Sequence, residues 1–185
     1  VYRARPLTRD GDAPADYAVK LAKRSAACDT LAIQLLQREA VVAREVSHPN
    51  LTCILSARVH RPPYYVVMPY LPGRTLEAVL GDHERLLSGE AAGIARQTVE
   101  ALLALHQSGW IHSDIKPGNI FVGSTGHVTV LDLGLARKAS GVGGSDGSAL
   151  VGTLAYTAPE SFSSLVEVGP ALDVYSLGVT LYRMV

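Results

Sequence analysis

"IHSDIKPGNIFV", residues 111–122, places His112, Asp114, Lys116 and Asn119 within eight positions, between two aliphatic runs. An acid beside a cation and an amide suits phosphoryl transfer to a hydroxyl. Asp114 can orient the hydroxyl and take its proton, Lys116 can offset charge on the transferring phosphoryl, and the Asn119 amide oxygen can hold a magnesium ion. Four specified residues, at about one chance in twenty each, arise by accident in on the order of one chain in a thousand of this length. Downstream, "VLDLGLA" (130–136) ends a strand at Asp132 before a turn containing Gly134. That is a suitable place for a second metal-binding carboxylate, and hard oxygen ligands beside phosphates point to magnesium.

Composition narrows the remaining classes. The chain has 185 residues, 48% of them apolar, with 17 basic and 17 acidic residues and no formal net charge. That is enough apolar surface for a real core, and it leaves no electrostatic footprint for bulk nucleic-acid or anionic-membrane binding. Cys28 and Cys53 are isolated, so packed reduced thiols are expected rather than a disulfide or a zinc site. No apolar run approaches the ~18 residues of a membrane span and no signal peptide opens the chain, so no membrane contact is expected and the default location is cytoplasmic.

Two halves of different texture follow one another. Residues 1–4 and 16–22 read as strands around a polar turn, and Thr30 to Val46 carries apolar residues at helical spacing. "SHPN" then stops the helix, because proline disfavours helix at the residue before it. "LTCILSARVH" (51–60) and "YYVVMPYL" (64–71) read as paired strands. Past a hinge near Pro69 to Gly73, helices are expected over 75–80 and 88–108, the second capped by Ser88 with Glu90 in its first turn. Short strands at "NIFV" (119–122) and "HVTVLDL" (127–133) come next, then a Gly/Ser-rich stretch, "ASGVGGSDGSA" (139–149).

With these features in place the chain resembles the protein kinase family, specifically eukaryotic-like (Hanks-type) serine/threonine kinases of the kind found in bacteria. "YAVK" ends at Lys20, the ATP-pairing lysine of that resemblance, and Glu39 on the first helix is its ion-pair partner. "HSDIKPGN" resembles the catalytic loop and "DLG" the magnesium motif. "APE" (158–160) matches the end of the activation segment, and "DVYSLG" the buried helix that anchors the catalytic loop through Asp173. Asn119 and Asp132 follow Asp114 at the family's usual intervals.

The resemblance implies a two-lobed α+β fold, with a β-rich N-lobe over 1–70 and a mainly helical C-lobe over 71–185. It implies ATP and Mg2+ as cofactors, with Asn119 and Asp132 as metal ligands and Asp114, Lys116 and Thr153 as the catalytic set. Lys116 and Thr153 mark the serine/threonine pattern, with the threonine hydroxyl bridging to Asp114 and Lys116. Around the adenine, Met68 would be the gatekeeper, Pro69 would offer its carbonyl and Leu71 its N–H. Val1 and Ala18 would cover the ring from above and Phe121 from below. Protein substrates bearing Ser or Thr, and a role in signal transduction by protein phosphorylation, are implied as well.

Departures from the family pattern are informative. The Gly-rich loop is absent from this sequence and Val1 stands where the valine just after it would be, so a catalytic-domain fragment truncated at both ends is expected. Ser113 replaces the arginine of the usual H-R-D, which removes a main contact for a phosphate on the activation segment. His112 is expected to be structural, and His48, His60, His83, His106 and His127 to be surface or cap residues. Two function classes follow from the resemblance: an active kinase, and a pseudokinase or scaffold that keeps the fold without the reaction. Retention of Lys20, Glu39, Asp114, Asn119 and Asp132 together favours the enzyme.

Overall fold

The computed structural model describes residues 1–7, 15–22, 29–139, 154–162 and 169–185. An antiparallel sheet of four strands comes first: β1 (Tyr2–Ala4), β2 (Tyr17–Leu21), β3 (Ser56–Arg58) and β4 (Tyr65–Pro69), in the order β1-β2-β4-β3. In the β2–β4 register Ala18 faces Met68, Val19 faces Val67 and Lys20 faces Val66. Residues directly opposite each other share a face of the sheet, and neighbours along a strand alternate. Val66, fully buried, thus puts Lys20 on the face covered by α1 (Asp29–Glu45).

Two apolar stripes are carried by α1. Leu36 and Ala40, one turn apart, pack on the sheet with Val59 and Val66. Val42 and Val46 point into the larger core with Leu102, Leu105, Ile115 and Val130. One helix thereby joins the strand-rich part to the helical part, and Glu39 lies between its two stripes. After α1, Asn50 donates its side-chain N–H groups to Val128 O (2.7 Å) and Gln97 Oε1 (3.1 Å). Thr52 N–H reaches Val130 O at 2.9 Å. The expected strand over 51–60 therefore shortens to Ser56–Arg58, because its first residues bond to a different strand.

The connector into the helical part contains a short strand the sequence did not suggest, β5 (Gly73–Thr75), which pairs with β7 (Ile120–Gly123). Thr75 then caps α2 (Leu76–Asp82), its Oγ1 accepting the Ala78 N–H at 3.2 Å. α3 (Ser88–Gln107) buries Ala91, Ile94, Thr98, Ala101, Leu102 and Leu105 at three- and four-residue spacing. Ser88 opens this helix rather than capping it; the cap position is Leu87, whose N–H donates to Glu90 Oε2 at 3.1 Å. Gly109 ends it in the left-handed region, at φ 75°.

Beyond α3 lie β6 (Trp110–Ile111), β7, β8 (Val128–Val130) and β9 (Arg137–Lys138), with β7 pairing β8 and β6 pairing β9. β8 stops at Val130 instead of running to Leu133, because Asp132 turns left-handed (φ 62°) and Leu133–Leu135 form a 3-10 turn. The last helix, α4 (Ala171–Met184), buries Asp173, Ser176, Leu177, Thr180 and Met184. It is buried along one side only, and Val174 and Tyr182 on the other side are exposed. No described helix is long and apolar enough to cross a membrane.

Candidate active site

Lys20 is the first joint of the site. Its Nζ lies 2.9 Å from Glu39 Oε2 and 2.8 Å from Asp132 Oδ1, so one ammonium joins β2, α1 and the turn after β8. Burial by itself would lower the Lys20 pKa, but the two carboxylates outweigh it and hold the ammonium above its ordinary value. Glu39 is buried at 2% exposure, and burial pushes its carboxyl up despite the neighbouring Lys20. At Asp132 burial acts in the same upward sense but loses to Lys20, and the net direction is down. Of the two carboxyls, the half-exposed Asp132 is thus the more firmly ionised.

Close approach makes this trio possible. A Cβ placed on Gly134 would stand 3.2 Å from Leu35 Cβ and from Leu35 O, so a larger residue in the turn would push it away from α1. Arg38 Nη1 also donates to Ala136 O at 3.2 Å, a second link between α1 and the same turn.

Asp114 is the second joint. Lys116 Nζ lies 2.9 Å from Asp114 Oδ2 and 3.1 Å from Oδ1, while Asn119 Nδ2 donates to Asp114 O (2.8 Å) and Oδ2 (2.7 Å). The Asn119 N–H groups are directed at Asp114, and among the described residues its amide oxygen accepts no hydrogen bond. The two joints are connected through Leu131, whose N–H donates to Asn119 O at 2.8 Å and whose carbonyl accepts from His112 Nε2 at 3.1 Å. His112 Nδ1 accepts the Asp114 N–H at 3.3 Å, which assigns the neutral Nε2–H tautomer. Fully buried and engaged at both nitrogens, His112 supports the loop and is not placed to act as a base.

Beneath the loop, buried Asp173 accepts the N–H of His112 on Oδ2 and of Ser113 on Oδ1, both at 2.8 Å. His106 Nε2 is also 2.8 Å from Asp173 Oδ2. His106 therefore departs from the surface or cap role expected of it and forms part of the anchor under the loop. Helical spacing carried a signal for this position, since it is four residues after buried Leu102. Asn50 was likewise passed over in the sequence, although its bonds set the β7–β8 hairpin against α3.

The residues assigned to the adenine are dispersed around the connector. Met68 packs with Val59, Val66, Leu36 and Ala40, and Ala18 sits opposite it in the sheet, two residues from Lys20. Pro69 is the last residue of β4, and Leu71 follows it, partly buried. Phe121 pairs with Thr75 and Thr129, and its ring edge lies 2.8 Å from where a Cβ on Gly73 would be. Val1 precedes β1 and is 80% exposed. Thr153, with Ser140, Ser145 and Ser148, lies outside the described residues.

The model of the protein kinase domain family matches residues 7–185. The chain is 34% identical over 163 residues to hormonally up-regulated neu tumor-associated kinase of Homo sapiens, covering 88% of this chain and 23% of that protein. It is 30% identical over 184 residues to serine/threonine-protein kinase PrkC of Bacillus subtilis, covering 100% of this chain and 28% of the relative. Probable serine/threonine-protein kinase PknB of Lactococcus lactis is also 30% identical, over 167 residues, with 90% and 26% covered. The chain belongs to the protein kinase domain family, with bacterial serine/threonine kinases and eukaryotic kinases among its relatives. It spans about a quarter of the length of these curated relatives.

Proposed function

We propose that this chain is the catalytic part of an ATP-dependent serine/threonine protein kinase, moving the γ-phosphate of ATP to Ser or Thr hydroxyls of protein substrates. The observation that carries this reading is the Asp114 carboxylate held between Lys116 and Asn119 within 3.1 Å. It is tied through Leu131 to a turn whose Asp132 meets Lys20. In this reading Asp114 receives the acceptor hydroxyl, Lys116 offsets charge on the transferring phosphoryl, and Lys20 positions the α/β-phosphates. Residues 1–70 and 71–185 then close on the nucleotide from either side, with Met68, Pro69, Leu71, Ala18, Val1 and Phe121 around the adenine.

Asp132 and Asn119 would hold magnesium. Among the described residues Asp132 Oδ2 receives no hydrogen bond, and with the Asn119 amide oxygen it offers two hard donors. Mg2+ is commonly held by few protein ligands, with phosphate oxygens and waters completing its shell. Bound there, the ion neutralises charge on the phosphates. The serine/threonine assignment is supported by Lys116 and by the names of the two bacterial relatives; Thr153 completes the proposed pattern.

Ser113 leaves no guanidinium before Asp114 to grip an activation-segment phosphate, so the rate is expected to be independent of phosphorylation there. Alanine at Ser140, Ser145 and Ser148 leaves it unchanged in this reading. The primary experiment is transfer of labelled γ-phosphate from Mg-ATP to a generic protein acceptor, comparing the protein with Asp114→Asn. Transfer that the variant loses by orders of magnitude supports the proposal. No transfer by folded protein across several acceptors would point to a scaffold, and equal transfer by both would remove Asp114 from its role.

A further inference from the structure

The proposed chemistry leaves unused a closed triangle of side chains at the far end of α1. Glu45 Oε2 accepts the Trp110 indole N–H at 2.8 Å and lies 2.8 Å from Lys138 Nζ. The same ammonium stands 4.2 Å from the centroid of the Trp110 ring. Its three edges are a hydrogen bond to an anion, an ion pair and a cation–π contact. Trp110 and Lys138 also face each other in the β6–β9 pair, so the backbone presents both to Glu45.

The three residues belong to the three segments that make up the site. Glu45 is six residues after Glu39 on α1, Lys138 six after Asp132, and Trp110 two before His112. Along a helix six residues span about 9 Å. Lys20 joins Glu39 to Asp132 at one end of that span, and the triangle joins Glu45 to Lys138 at the other. Arg38, beside Glu39, also ties α1 to Ala136 O, but both of those links leave from one end of the span, and the triangle fixes the other end against pivoting.

We propose that Glu45 is a positioning residue for phosphoryl transfer, a resident carboxylate that locks α1 to the 132–138 segment without help from a phosphorylated side chain. The inference rests on the kinase reading above. Ser113 offers no guanidinium to a phosphate, and the Lys138 ammonium is already taken by Glu45. The hydrogen bonds from Lys138 and then Trp110 hold the Glu45 carboxyl below its ordinary pKa, so the carboxylate is present throughout the neutral range. Glu45 and Lys138 side chains are about half exposed, at 45% and 55%, and an exposed ion pair alone is weak. Trp110, at 7% exposure, supplies the fixed wall that gives the pair one geometry.

A double-mutant cycle on the full chain tests this, with Glu45→Gln, Lys138→Met and both together, and Lys138→Arg as the conservative control. Each single variant is expected to lower kcat about 3- to 10-fold, and the pair to lose no more than either alone, as coupled neighbours do. Lys138→Arg should stay near the parent. Amide exchange over 133–138 should quicken in Glu45→Gln and in Lys138→Met while the thermal midpoint moves little. Phosphatase treatment of the parent should change neither rate nor exchange. Additive losses, unchanged exchange in Glu45→Gln, or a rate that drops after phosphatase treatment would overturn the proposal. If the parent transfers no phosphate at all, the kinase reading has failed, and the exchange arm still decides whether the triangle holds the segment.

Discussion

Ser113 and Asp173 are sixty positions apart, and the Ser113 N–H donates to Asp173 Oδ1 at 2.8 Å. Ser113 is held in the left-handed region, at φ 66°, where non-glycine residues are uncommon. The backbone that aims Asp114 is therefore shaped by a carboxylate on α4, which also accepts the neighbouring His112 N–H. Asp173→Asn would leave a single carbonyl oxygen for two buried N–H donors and turn an NH2 group toward one of them. The variant should lose about 1–3 kcal/mol of unfolding free energy in denaturant titration. Its phosphoryl transfer should fall by roughly tenfold or more through misplacement of Asp114.

Glu39→Gln separates stability from activity. The buried Glu39 carboxyl is pushed up by desolvation, so its ionised form is held against a penalty that a neutral isostere does not incur. Thermal and denaturant midpoints should stay within about 1 kcal/mol of the parent, or rise. Transfer should fall roughly 10- to 100-fold, because Lys20 would keep its ionic hold on Asp132 alone. A large loss of stability in Glu39→Gln would contradict this account.

Acid stability reports on Asp132. Its folded pKa is lowered from the ordinary 3.8, so its contribution is present above that value and is lost as pH falls through the folded value. In that window the unfolded chain binds more protons, and stability rises with pH. Asp132→Asn should therefore flatten the acid limb of a stability–pH curve below about pH 4. Lys20 acts at the other end: its raised pKa gives stability present below 10.5 and lost as pH rises through the folded value. The same variant should also weaken this alkaline limb.

Gly73 tests the connector. A Cβ there would lie 2.3 Å from Val122 O and 2.8 Å from the Gly123 Cα, and the residue sits at φ 149°. Gly73→Ala should cost about 1–3 kcal/mol in unfolding free energy by disturbing the β5–β7 pair. Since Phe121 borders the same position, nucleotide affinity measured by titration should fall with it.

Much of the architecture was legible because it is local. Apolar spacing located α1 and α3 to within a residue or two, and the strand pattern located β2 and β4. The cluster from His112 to Asn119 was visible because Asn119 follows its partner Asp114 by only five positions along one loop. Resemblance to the kinase family supplied the distant Lys20–Glu39 pair, which spacing alone could not join across nineteen positions.

What the order of residues determined by itself was the inventory: a sheet, a bridging helix, a helical half, and the acids, amides and lysines proposed for the chemistry. Side-chain type and helical or strand period are local properties, and they survive in one dimension. Only the tertiary structure decided which groups meet. His106 reads as a surface or cap residue until α4 brings Asp173 under it, and Glu45 drew no reading from the sequence before β6 and β9 brought Trp110 and Lys138 to it. Those contacts depend on how separate elements pack against a common core, a relation among residues 65 to 93 positions apart that no local pattern encodes.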